Sequence, residues 1–192
     1  MREFILFTRG VTRPFRLNDL PGQGRMDLIA RCVTDSIFIS GAIRKDVKVY
    51  VVLNGPPKPP IVVTFDTTKL KRAYPDERNI ASHIRIALEK FYGEPIESEP
   101  GIYVEKKSFE KLLEEKVQNS QVLYMHMKGE NFDSVKIKNN VTFILGDNKG
   151  IPKQTEKFIE KLGIPKVSIG EIEYLTSQVI TIIHHKLDGM RK

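Results

Sequence analysis

The residues best placed by type and spacing to do chemistry sit in the last third of the chain. Val141 to Leu145 is apolar apart from Thr142 and rich in β-formers, and Gly146-Asp-Asn-Lys-Gly150 follows at once. Such a run predicts a buried strand that stops at a turn. Two glycines in five residues let the backbone take positive φ and approach another molecule closely. Pro152 then suits the first turn of a helix. Strand, glycine loop and helix in this order build ligand sites at the carboxyl ends of parallel strands. The same order also makes an ordinary strand-to-helix turn. A second run of the kind, Lys166-Val-Ser-Ile-Gly170, with Glu171, Ile172, Glu173 and Tyr174 behind it, shifts the weight toward a ligand site.

Basic residues form a second group. Arg9, Arg13 and Arg16 flank Phe15, a mixture that can hold phosphates and stack a base, or make a solvated basic loop. Asp27, Arg31 and Asp35 recur every four residues, which on a helix gives a ladder of surface ion pairs worth ~0.2–0.5 kcal/mol each. The alternative puts Arg25 and Arg31 on phosphates and Asp27 in a site. Asp76 is suited to cap a helix, and Arg78 in that first turn opposes the helix dipole, a hint that it serves a ligand. Cys32 falls in an apolar stripe without a cationic neighbour and reads as packing. His184 and His185 are adjacent, point in different directions, and read as surface or boundary residues. No cluster has metal-ligand spacing.

Positioning these groups takes most of the chain. Strands are expected over Glu3–Thr8, Val47–Leu53, Ile61–Phe65, Gly101–Glu105, Val122–Met127, Val141–Leu145 and Lys166–Ile169. Helices are expected from Arg25 to Ser40, from Asp76, from Ser108 to Asn119, from Pro152 to Leu162 and from Thr176 to Leu187. The link between Val47–Leu53 and Ile61–Phe65 is short and proline-rich, which predicts an antiparallel pair. Gly93 to Pro100 reads as a linker. Strands alternating with helices through the second half predict an α/β fold with a mostly parallel sheet. At 192 residues, 40% of them apolar, one domain with a real core is expected. A net charge of +7 favours an acidic partner such as nucleic acid. The single cysteine excludes an intramolecular disulfide and fits a reducing compartment. No membrane span or signal-peptide core is evident, so a cytoplasmic chain is expected.

Three glycine-turning strand ends occur in order: Tyr124-Met-His-Met-Lys-Gly129, Ile144-Leu-Gly-Asp-Asn-Lys-Gly-Ile151, and Ser168-Ile-Gly-Glu-Ile-Glu-Tyr174 running into Val179-Ile-Thr-Ile-Ile-His-His-Lys-Leu187. Together they resemble the cofactor loops of SPOUT-class RNA methyltransferases. Upstream, Leu20-Pro-Gly-Gln-Gly-Arg-Met-Asp27, Tyr74-Pro-Asp-Glu-Arg-Asn79 and Gly101-Ile-Tyr-Val104 narrow the resemblance to the archaeal tRNA pseudouridine N1-methyltransferase family, over nearly the whole chain.

The resemblance implies a C-terminal trefoil knot, beside the N-terminal antiparallel β-hairpin read from the two close strand runs, with helices expected on both faces of the sheet. It implies S-adenosylmethionine held at Leu123 or Met125, at Gly146, across Ile169, Gly170, Glu171, Ile172, Glu173 and Tyr174, and by Val179, where some relatives carry cysteine. Residues 1–92 would face the RNA through Arg9, Arg25, Arg31 and Arg78, and residues 101–192 would form the knotted part. The substrate implied is the T-loop pseudouridine of tRNA, at position 54. Its N1 must lose a proton as it attacks the methyl group, which calls for a carboxylate: Asp76 first, then Asp27. The competing readings are another SPOUT methyltransferase with a different target nucleotide and a non-catalytic RNA-binding module. No metal is implied. A homodimer is expected through the last helix, because Ile180, Ile183 and Leu187 form one apolar line and Val179 and Ile182 a second.

Overall fold

The computed structural model describes residues 1–190. Its eight-stranded sheet contains β1 (Arg2–Thr8), β4 (Val47–Leu53), β5 (Ile61–Asp66), β6 (Ile96–Glu99), β7 (Ile102–Glu105), β8 (Gln121–Asn131), β9 (Val141–Gly146) and β10 (Lys166–Ser168), in the order β10-β8-β9-β1-β4-β5-β7-β6. Pairing is parallel from β10 across to β4 and antiparallel from β4 to β6. The first strand thus lies in the middle, bonded on one side to β4 and on the other to β9.

Burial on both faces explains the apolar runs. In β1, Phe4 and Leu6 join the core on one face, while Ile5 and Phe7 join the core on the other. Helices α1 (Met26–Ile37), α2 (Glu77–Lys90) and α5 (Thr176–Gly189) cover the first face. Helices α3 (Phe109–Val117) and α4 (Lys153–Lys161) cover the second.

Several boundaries differ from expectation. Helix α1 ends at Ile37 because β2 (Phe38–Ile39) and β3 (Ala42–Ile43) turn back around Gly41, whose φ is +72°. The expected linker at 93–100 contains β6, an edge strand paired with β7. The Asp27–Arg31–Asp35 ladder does not form: Arg31 Nε donates to Glu77 on α2 at 2.8 Å, and Asp27 takes both bonds from Arg25.

His184 is the clearest departure, being only 3% exposed. Its Nε2 donates to the Ser36 carbonyl at 2.9 Å, so Nδ1 accepts from the Arg2 guanidinium at 3.0 Å. Arg2 and Arg44 both pair with Asp188, which their hydrogen bonds hold down to about 2. Burial, with the charges of Arg44 and Arg2, pushes the His184 imidazole down to about 4. Between the ordinary 6.5 and that value the unfolded chain binds a proton that the fold refuses. The stabilisation is therefore complete above about pH 6.5 and is lost as pH falls toward 4, by on the order of 3 kcal/mol in all. Urea unfolding of the wild type and of His184→Gln at pH 7, 5.5 and 4.5 checks this: the wild type should lose more stability on acidification, and equal slopes would contradict it.

Candidate active site

The carboxyl ends of β1, β9, β8 and β10 gather at one end of the sheet. Here β9 gives way to the glycine loop, and the Asp147 carboxylate organises it. That carboxylate accepts from the Arg9 backbone N–H at 3.0 Å, from Lys149 N–H at 2.9 Å, and from Arg9 Nη1. Arg9 Nη1 also donates to Gly150 O, and Asp147 N–H donates to Phe7 O. The loop is thus tied to the end of β1 and folded on itself.

Gly146 is required by this closure. A Cβ there would come within 2.9 Å of the Gly150 backbone, so the position is set by the loop's own return before any ligand is considered. Gly150 has φ +67° and faces open space.

The first loop arises from a register break. Lys166 pairs with Tyr124, but the next residue, Val167, pairs with Glu130. Residues 125–129 therefore bulge out of the ladder. Gly129 allows β10 to close over the bulge, since a Cβ would lie 2.4 Å from Val167 N. In the third loop Ser168 Oγ donates to Gly170 O at 2.7 Å and accepts from Gly170 N–H at 3.1 Å. Thr176 Oγ1 then donates to Gly146 O at 2.7 Å, joining the third loop to the second.

A cavity of about 360 Å³ lies among these loops. Of the expected cofactor residues, Met125, Gly146, Ile169, Gly170, Ile172, Glu173, Tyr174 and Val179 line it. Leu123 is sealed in the core at 1% exposure, and Glu171 is exposed and lines neither this cavity nor the next. The sequence reading missed Tyr124, His126, Glu156 and Thr176. Tyr124 donates to Glu156 Oε1 at 2.8 Å, and burial with that bond pushes its phenol up. Thr176, directly after the loop at the start of a helix, was the one with a readable signal.

A second cavity, about 650 Å³, opens on the other side of the glycine loop against α1. Leu28, Ile29 and Cys32 form one wall and Thr8, Asn148, Lys149 and Gln178 others. Leu28 is half-buried because it faces this space. Burial pushes the Cys32 thiol up to about 12, which leaves it a packing residue. Gly146, Asp147, Gly150, Glu173, Tyr174 and Thr176 line both cavities and form the wall between them.

The other expected residues lie around this pair. Asp76 caps α2, accepting from Asn79 N–H at 2.8 Å, and lines neither cavity. Asp27 also lines neither, and its bonds to Arg25 hold its carboxyl below the usual range. Arg25 takes φ +63°, rare for a residue with a side chain, and its side chain stays 42% exposed. Arg31 is half-exposed in its pair with Glu77, and Arg78 is exposed beside it. No group of three or more potential metal ligands occurs among the described residues.

The family model described as "Putative SAM-dependent RNA methyltransferase" matches residues 1–192. The chain belongs to this family. The tRNA (pseudouridine(54)-N(1))-methyltransferase of Methanocaldococcus jannaschii is 41% identical, covering 100% of this chain and 98% of its own. That of Methanococcus aeolicus is 42% identical, covering 98% of each. Among solved structures, Archaeoglobus fulgidus Nep1 bound to S-adenosylhomocysteine superposes with a TM-score of 0.68 at 14% identity, over 99% of this chain and 98% of its own. That likeness establishes the SPOUT-type α/β fold, with its mostly parallel central sheet.

The smaller cavity suits the family's cofactor. Its volume falls in the range of small-ligand sites, ~300–1,000 Å³. Apolar walls at Met125, Ile169 and Val179 stand beside carboxylates and loop backbone, which matches a ligand with an aromatic base and polar ribose and amino-acid ends. Gly146→Val should lower the melting temperature by several degrees and abolish binding of S-adenosylhomocysteine, because the loop must reopen to admit the side chain. Thermal unfolding with calorimetry checks both; unchanged stability and affinity would contradict this geometry.

Proposed function

We propose that this chain is a S-adenosylmethionine-dependent tRNA methyltransferase that methylates N1 of pseudouridine 54. The observation that carries the reading is full-length similarity near 40% to enzymes of that name, together with two cavities meeting at a glycine wall. The smaller cavity takes the cofactor, through Met125, Gly146, the backbone of the 169–174 loop and Val179. The larger takes the nucleotide. When bound, the cofactor supplies an activated methyl on a sulfonium. The protein's part is alignment across the wall and acceptance of the N1 proton as the N–C bond forms. Residues 1–92 face the RNA, with Arg25, Arg31 and Arg78 available to phosphates along α1 and at the start of α2. Arg9 contributes chiefly by holding the glycine loop.

The C-terminal knot belongs to the same proposal. Helix α5 follows the edge strand β10 yet lies against α1, with Lys186 on Asp133 in the β8–β9 connection and Arg2 on Asp188. A chain end that returns inward past that connection supports threading. A homodimer belongs to the same proposal. Ile180, Ile183 and Leu187 are buried within the subunit, so an Ile183→Glu variant would strike the core and not an interface. The half-buried second line, Val179 and Ile182, continues into exposed Leu175 and Ile172, and this face is the one offered to a partner copy.

Labelled methyl should appear only on tRNA pretreated with the pseudouridine synthase, since N1 of uridine is the glycosidic nitrogen and carries no proton. Equal labelling of an untreated transcript would refute the assignment. Light scattering should give twice the chain's 22.0 kDa, and Ile182→Glu should shift it toward the monomer with little loss of subunit stability.

A further inference from the structure

Methyl transfer must occur where the two cavities meet, because the methyl leaves one ligand and arrives on the other. The proton acceptor has to reach N1 at that junction, and the residues that line both cavities are the ones placed to do so. Neither Asp76 nor Asp27 is among them. Three titratable side chains are: Asp147, Glu173 and Tyr174. Asp147 is 7% exposed, and its two oxygens already accept from Arg9 N–H, Arg9 Nη1 and Lys149 N–H. Protonating it would break the contacts that shape the wall itself. Tyr174 presents a phenol O–H, a donor where an acceptor is required.

Glu173 is different on each count. It is exposed, it lies in the loop between β10 and α5, and among the described residues it makes no hydrogen bond or ion pair. Its two oxygens are free to take a proton from one side and release it to solvent on the other. We infer that Glu173 is the general base of the reaction, accepting the pseudouridine N1 proton at the junction of the two cavities. The balance is simple. The N1–CH3 bond forms as the methyl–sulfur bond breaks, the sulfonium becomes a thioether, and the N1 proton passes to the Glu173 carboxylate and then to water. The neighbouring backbone suits the task, because Gly170 at φ +145° and its bonds to Ser168 fix the start of the loop that carries the side chain.

This inference rests on the proposed function, and the test separates the two. Wild type, Glu173→Gln, Asp76→Asn and Asp27→Asn are compared at saturating S-adenosylmethionine on tRNA bearing pseudouridine. Glu173→Gln should lower kcat about a hundredfold or more, within the range for loss of a general base. Its dissociation constants for S-adenosylhomocysteine and tRNA should stay within about twofold of wild type. Asp76→Asn and Asp27→Asn should keep kcat within a few-fold. A Glu173→Gln enzyme at near-wild-type kcat overturns the inference. So does a loss explained by cofactor affinity, which would make Glu173 a cofactor ligand, or a larger loss in Asp76→Asn, which would bring that residue into the site across a dimer. A wild type that transfers no methyl to this tRNA overturns the functional reading instead.

Discussion

The Asp147 carboxylate is the constraint on which the site depends. It sits at the end of β9, nearly buried, and is satisfied by a guanidinium and two backbone N–H groups. Leaving such a group unpaired would cost several kcal/mol, so the loop has one stable arrangement. That arrangement fixes Gly150 against Gly146, brings Thr176 within reach of Gly146 O, and so sets where α5 begins. Both cavities border on this loop. The packing behind it is equally tight. A Cβ on Gly24 or Gly55 would approach Arg9 O to 2.2 or 2.5 Å, so the backbone that presents Arg9 is held from two sides.

The opposite end of the sheet is also closed by charge, but for stability. Glu3, at the start of β1, accepts from Tyr50, Lys116 and Thr142, and so ties together β4, α3 and β9. Arg2, Asp188, Arg44 and His184 do the same for β1, α5 and α1. Ion pairs with one partner buried in this way add little net energy but penalise any arrangement that separates them. They specify which helix lies over which strand. The loop end, by contrast, carries an exposed carboxylate with no partner among the described residues, Glu173.

Much of this was legible in the sequence, for local reasons. The strand and glycine loop at 141–150 announce themselves because apolar β-formers and glycine have strong local meanings. The caps at Asp76 and Ser108 were legible for the same reason, and both side chains accept from the N–H three residues on. What failed to show was non-local. Arg9 reads as a phosphate ligand until its partner, 138 residues away, is known. The bulge at 125–129 comes from the way β10 meets β8, and nothing within the segment signals it. His184 next to His185 looks like a surface pair, yet one is buried and the other exposed, because α5 presses one side onto α1. Leu123 and Met125 share a strand face, and only the bulge decides which one reaches the cavity.

The central position of β1 bears on how the protein is made. A ribosome delivers β1 well before β9, its neighbour on one side, which is complete only at Gly146. Through most of synthesis the chain carries an apolar strand with one open edge, the kind of surface that pairs with other chains. The early partner is β4, and the β4-to-β7 half of the sheet can assemble behind it. The loop end cannot, because its second and third loops are joined through Thr176. The loop cluster thus closes later than the sheet, and a product cut short before Thr176 would keep much of the sheet's hydrogen bonding while lacking the bond that joins the third loop to the second.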